Sequence, residues 1–164
     1  MESSGEARGR GIDAVVAYLA DAGVSNDVVD HERTFTAGAE ARAAGVEPNH
    51  AAKTVVLRES KEYRLAVIPA SERLDLHKLR ELLGVGSELR LASEQEMQAD
   101  LPDFDVGAVP PFGSMVPAAE VVDRRLLEHR RILCTGGDHR HSVLVDPRDL
   151  VRLSDAKAAD ICED

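Results

Sequence analysis

Apolar positions along the chain follow helical and strand periods in turn. Ile12, Val15, Val16 and Leu19 fall at i, i+3, i+4 and i+7, one face of a helix that stops near Gly23. Val28 and Val29 predict a short strand running into Asp30-His31-Glu32-Arg33-Thr34-Phe35. Thr36 is placed to cap an alanine-rich helix over residues 37–44, which Gly45 ends. After Pro48, residues 52–58 read as a buried strand, 59–62 as a polar turn and 63–68 as a second strand, together a hairpin. Leu76, Leu79, Leu82 and Leu83 line a helix that Gly84 terminates, and residues 89–91 form a short strand. Ser93 and Glu96 make a capping box for a helix ending before Pro102. Val121 and Val122 predict a strand, residues 124–129 a helical turn, and 132–135 and 143–145 two more strands around a Gly136-Gly137 turn. Asp146-Pro147 opens a helix running through Leu153, and residues 156–161 read as a last helical stretch. Hairpins with scattered helices and no βαβ rhythm predict an α+β fold with a mixed sheet.

At 164 residues the chain is long enough to bury a proper core, and its 43% hydrophobic content fits a soluble globular domain. Residues 1–9 are expected to be a disordered segment and 10–162 the folded domain. No run approaches the length of a membrane helix and no secretory-type N-terminus is evident, so no membrane association is expected. Cys134 and Cys162 lie far apart, which predicts reduced thiols in a cytoplasmic setting. The net charge of −10 argues against a broad electrostatic footprint for nucleic acid, though not against a local basic pocket for a nucleic-acid end. Aromatic residues (Tyr18, Phe35, Tyr63, Phe104, Phe112) are too few for an extended single-strand stacking platform.

The stretch Gly107-Ala108-Val109-Pro110-Pro111-Phe112-Gly113 can continue neither a helix nor a central strand. Proline fixes its path and glycine leaves backbone bare, so it is either a plain linker or a stiff loop that brings N–H groups to a ligand. Lys53 opens an apolar strand and either snorkels to the surface or supplies a cation to a pocket. His139 and His141 share a face of an extended segment, but no further ligands at zinc spacing accompany them. Ser142 is in no nucleophile elbow, Cys134 has no evident base, and Gly84-Val85-Gly86 is not a dinucleotide loop.

In combination these stretches carry more. Lys53-Thr54-Val55-Val56, then Gly107 to Gly113, then Gly136-Gly137-Asp138-His139-Arg140-His141 resemble, in that order, the YbaK family of prolyl-tRNA synthetase-associated editing domains. The likeness runs from about Ile12 to Ile161 and includes His31-Glu32-Arg33-Thr34-Phe35-Thr36-Ala37. It implies a mixed, barrel-like β-sheet surrounded by helices. It also implies a free-standing aminoacyl-tRNA deacylase that hydrolyses alanine or cysteine wrongly esterified to tRNA for proline.

The resemblance makes Lys53 the key pocket lysine and Gly107 part of the loop at the scissile ester. His141 is similar to the pocket histidine of alanine-editing members, with His139 as the alternative. His31, Thr34, Phe35, Thr54, Ala108, Val109, Pro110, Pro111, Gly137, Asp138 and His139 would contact substrate. No cofactor or metal is implied. The expected partners are the 3′ aminoacyl end of tRNA and prolyl-tRNA synthetase, with the chain acting as a monomer or weak dimer. The 136–141 turn differs from the Gly-Lys-Arg-Gly type of the cysteine-specific branch, which favours alanine. Two other readings remain: a non-catalytic binding module on the same fold, and a zinc hydrolase using His139 and His141.

Overall fold

The structure, a computed structural model, describes residues 9–164. The expected disordered segment lies, apart from Gly9, outside the described residues. Helix α1 (Ile12–Asp21) leads to strand β1 (Asp27–Asp30), and α2 (Ala37–Ala44) follows. Thr36 caps α2 by accepting from the Ala39 N–H at 3.1 Å, and Gly45 closes it in the left-handed conformation. After a 3-10 turn at Pro48–His50 come β2 (Ala52–Glu59), β3 (Glu62–Pro69), α3 (Leu76–Leu83), β4 (Leu89–Leu91) and α4 (Glu94–Asp100). A long loop then reaches β5 (Ala119–Asp123), a 3-10 turn at Arg124–Glu128, β6 (Ile132–Thr135), β7 (His141–Val145), α5 (Pro147–Ser154) and β8 (Lys157–Ala159).

The strands form two sheets. One has the order β1-β7-β6 and is antiparallel; the other has the order β4-β2-β3-β5-β8. In the larger sheet β2 pairs antiparallel with β3 and β4, while β3–β5 and β5–β8 are parallel. The fold is therefore α+β with a mixed sheet. The barrel-like closure expected from the resemblance takes a looser form: an isolated bridge, Ala51 to Leu133, links the sheets, and no closed barrel forms among the described residues. Central strand β3 is covered on both faces, which explains its unbroken Leu65-Ala66-Val67-Ile68 run. Val67 packs with Val15, Leu19, Phe112 and Leu150 on one side, and Ala66 and Ile68 pack with Leu79, Leu89 and Ile161 on the other.

One predicted element is overturned. Residues 156–161 are not helical; β8 pairs in parallel with Val121, Val122 and Asp123. Alanine-rich composition favours helix only weakly, and here two anchors outweigh it. Asp155, left-handed at φ 47°, ends α5, and the fully buried Asp123 carboxylate accepts from the Ile161 N–H at 2.9 Å. Strand β7 also starts two residues earlier than its apolar run, at His141, because β1 pairs with residues 141–144. No helix among the described residues is long and apolar enough to cross a membrane.

Buried Glu120 on β5 is unusual. The Gly113 N–H beside it donates instead to the Ser154 hydroxyl (3.0 Å), and neither Glu120 oxygen has a hydrogen-bond partner. Burial pushes its pKa up to about 8, against the smaller opposing effects of Gly113 and Ser154. The fold thus favours the neutral acid. Its contribution is complete below the unfolded value of about 4.5 and is lost as pH rises towards 8.

Two outcomes follow. Glu120→Gln should remove this decline, so that urea midpoints of variant and wild type diverge in the variant's favour between about pH 5 and pH 8.5. Asp123→Ala should leave the buried Ile161 N–H without an acceptor. The expected cost is about 2–3 kcal/mol, read as a lower urea midpoint at unchanged slope with faster amide exchange over 157–161.

Candidate functional site

Backbone hydrogen bonds draw the chemically distinctive stretches of the sequence together. The 136–141 turn lies at the centre. On one side, the Thr34 N–H donates to the His139 carbonyl and the His31 N–H to the Arg140 carbonyl, each at 2.9 Å. On the other, the Asp105 N–H donates to the Gly137 carbonyl at 3.0 Å, which holds the approach to Gly107. Lys53 sits at the start of β2, next to the Ala51–Leu133 bridge between the sheets. Between these segments lies a cavity of about 350 Å³, bounded by Lys53, Thr54, Glu40, Gly107 and His139 among others. A second, more apolar cavity of about 420 Å³ shares Lys53, Thr54 and Gly107 and extends to Leu74, Leu91, Met97 and Val109. Both volumes are of the size that holds small molecules.

Lys53 is exposed at the junction of the two cavities and forms no ion pair among the described residues. The Thr54 hydroxyl is buried beside it with no hydrogen-bond partner. Gly107 adopts φ 87°, a left-handed conformation that favours glycine, and its N–H donates to no acceptor among the described residues. A side chain there would meet only His139 Cε1, at 3.7 Å, so backbone conformation rather than space requires the glycine.

The two histidines take different places. His139 lines the cavity and packs against the exposed Phe35 ring, centroids 4.9 Å apart. His141, the residue first matched to the pocket, points elsewhere: its Nδ1 is 2.8 Å from Asp138 Oδ1 and its Nε2 is 3.4 Å from Asp30. The shared face expected of an extended segment does not form, because His139 lies in the turn before β7 whereas His141 is the first paired residue of that strand, opposite Asp30. Among the described residues no group of three or more His, Cys, Asp or Glu is placed to hold a metal ion.

Of the other predicted residues, Thr34, Phe35, Thr54 and Asp138 line the same cavity as Lys53, and Val109 lines the apolar one. Ala108, Pro110 and Pro111 line neither; they are buried and lead to Phe112, which is fully enclosed in the main core. Within the proline loop, Gly107 and Val109 are therefore the residues presented to the cavities. His31 and Gly137 lie behind the wall. Asp138 is held by its own neighbours, accepting from the Arg140 N–H (2.9 Å), the Ile12 N–H (3.3 Å) and His141. Its pKa is lowered: the burial cost is outweighed by these hydrogen bonds and by His141.

Sequence reasoning missed Glu40 and Thr135, both buried and both on the cavity wall. The available signal was a single carboxylate on the buried face of an alanine-rich helix, next to Ala41. Burial raises the pKa of Glu40, with Asp138 adding to the rise and Ser142 and His31 opposing it.

A profile of the aminoacyl-tRNA editing domain matches residues 31–153. Among solved structures, a protein proposed as a trans-editing enzyme for prolyl tRNA synthetase is 30% identical, with a TM-score of 0.83 over 93% of this chain and 97% of that one. A scaffold protein from a computational epitope-grafting study is 28% identical at a TM-score of 0.82, again over 93% and 97%. A further protein, described only as hypothetical, is 28% identical at a TM-score of 0.81, over 91% of this chain and 99% of that one. With three-quarters of its length matched and the fold shared over 93% of it, this chain belongs to the aminoacyl-tRNA editing domain family.

Proposed function

We propose that the protein is a free-standing deacylase that hydrolyses the ester of a mischarged aminoacyl-tRNA, with alanyl-tRNA for proline as its preferred substrate. The observation that carries this reading is that Lys53 and the Gly107 N–H, neither with a partner among the described residues, line one cavity. Ester hydrolysis passes through a tetrahedral oxyanion. A fixed N–H donor and a nearby cation are the groups that stabilise such a charge as it develops. An ester needs less activation than an amide, so a bound water can serve as nucleophile without a serine or a metal. His139, at the cavity rim against Phe35, takes the place expected for His141 and orients that water or a ribose hydroxyl. The preference for alanine over cysteine rests on the departure of the 136–141 turn from the cysteine-specific pattern.

The 350 Å³ cavity has room for an aminoacylated ribose and none for the tRNA body. With a net charge of −10 the protein offers that body little non-specific attraction. Tight engagement then depends on a partner that holds the tRNA, and prolyl-tRNA synthetase is the candidate. Exposed Phe35, with the Arg33 guanidinium 5.3 Å from its ring centre, offers a face on which the terminal base can stack.

A deacylation panel with alanyl-, cysteinyl- and prolyl-tRNA for proline tests the reading. The alanyl ester should be cleaved fastest and the correct prolyl ester spared. Lys53→Ala should lower kcat/KM on the alanyl ester about 10²–10³-fold, the scale of losing one oxyanion contact. In the same panel His139→Ala should lose more activity than His141→Ala. Wild-type protein that leaves all three esters intact would overturn the proposal.

A further inference from the structure

Glu40 is a charged group on the cavity wall that the proposed chemistry leaves without a task. It is 8% exposed, and it forms no ion pair with Lys53 although both line the same cavity. The other carboxylate there, Asp138, is fully engaged with Ile12, Arg140 and His141 and is not available to a ligand. Glu40 is supported from behind instead. The Ser142 hydroxyl makes a short hydrogen bond to its Oε2, and His31 Nε2 lies 2.9 Å from that hydroxyl.

The far side of the imidazole determines what this chain can do. His31 Nδ1 is 2.7 Å from the Glu32 carbonyl, which only accepts, so Nδ1 carries a proton. Two arrangements satisfy every hydrogen bond. In one, protonated Glu40 donates to Ser142, which donates to neutral His31 Nε2. In the other, protonated His31 donates to Ser142, which donates to the Glu40 carboxylate. They differ by the relay of one proton through the hydroxyl. The buried carboxylate can thus remain neutral while the cavity is empty and become an anion when a cation arrives. That avoids the cost of an isolated buried charge.

We propose that Glu40 recognises the α-ammonium group of the aminoacyl ester, with Ser142 and His31 as positioning residues behind it. This rests on the deacylase reading above. An aminoacyl ester carries a cationic amine two bonds from the carbonyl on which negative charge develops, and a Glu40 carboxylate and Lys53, which line one cavity without pairing with each other, are complementary to that arrangement. The other charged or titratable groups near Glu40 are His31 and Asp138, both already hydrogen-bonded, the fully buried Cys134 thiol, and His139 on the shared wall. The class of substrate selected is therefore an amino acid ester with a free amine, as distinct from an N-blocked or simple acyl ester.

The test compares alanyl-tRNA with N-acetyl-alanyl-tRNA, first with wild-type protein. Wild type should favour the free amine about 10–100-fold in kcat/KM, the scale of one hydrogen bond to a charged group. Glu40→Gln keeps the side-chain shape and should collapse that ratio towards one, and Ser142→Ala should reduce it part-way. Equal wild-type rates on the two esters would overturn the role of Glu40 and leave the deacylase reading standing. An undiminished ratio in Glu40→Gln would do the same. A wild-type protein inactive on both esters would overturn the deacylase reading, and this inference with it.

Discussion

The site depends on how the 136–141 turn is held. Strands β6 and β7 could be joined by many turns, but this one has bonding partners on three sides. The Gly136 N–H closes it on the His141 carbonyl at 2.9 Å, and the Asp138 carboxylate ties together Ile12, Arg140 and His141. Its backbone carbonyls receive the 31–34 segment on one flank and Asp105 on the other. Gly137 completes the packing at φ 91°, where an added Cβ would lie 3.0 Å from the Gly11 backbone. Segments a hundred residues apart in sequence thus share one rigid reference. Without it, Gly107, His139 and the 34–38 edge of the cavity would have no common geometry, and a misplacement of about 1 Å in such a constellation costs on the order of 10²-fold in rate.

Much of the fold was legible because local signals agreed with tertiary demands. The Thr36 cap, the Ser93–Glu96 capping box, the Asp146-Pro147 start and the leucine stripe ended by Gly84 all mark real boundaries. The last strand was not legible. Lys157-Ala158-Ala159 has no strand character of its own; it is extended because the edge of β5 and the Asp123 carboxylate receive it. The site divides in the same way. Lys53 and Gly107 stand out in sequence because a charge in an apolar strand and a glycine before prolines are locally odd. Glu40 gives little local signal, since its significance comes from burial against Ser142 on a strand that pairs far away.

The charge distribution explains why a single lysine can matter in so acidic a protein. Several cations are already committed: Lys78 to Asp160 and Asp164, Arg125 to Asp123 and Asp160, and Arg58 and Arg90 to Glu96. The committed acids respond in kind, with Glu96 and Asp160 held down to about 2 by their hydrogen-bonded partners. Such exposed pairs add little stability, but they remove positive charge from any ligand's reach. Lys53 has no such partner among the described residues. Its field acts on a cavity with protein walls, where a charge is worth more than on open surface.

The proline loop completes the arrangement, though differently from a loop of bare backbone. Its rigidity comes from its C-terminal half. Phe112 is fully enclosed against Val15, Leu19 and Val67, and Gly113 passes so close to the Ala118 carbonyl that an added Cβ would stand 2.3 Å from it. Pro110 and Pro111 carry that fixed point stiffly back towards Gly107. The Ala108 N–H is spent on the Asp105 carbonyl, whereas the Gly107 N–H at the cavity end has no acceptor among the described residues. A preorganised donor must be both immobile and unsatisfied, and buried backbone rarely tolerates the second condition. Here the core supplies the immobility, and because Gly107 is exposed its N–H escapes the cost of an unsatisfied buried donor, which is what the proposed chemistry requires of it.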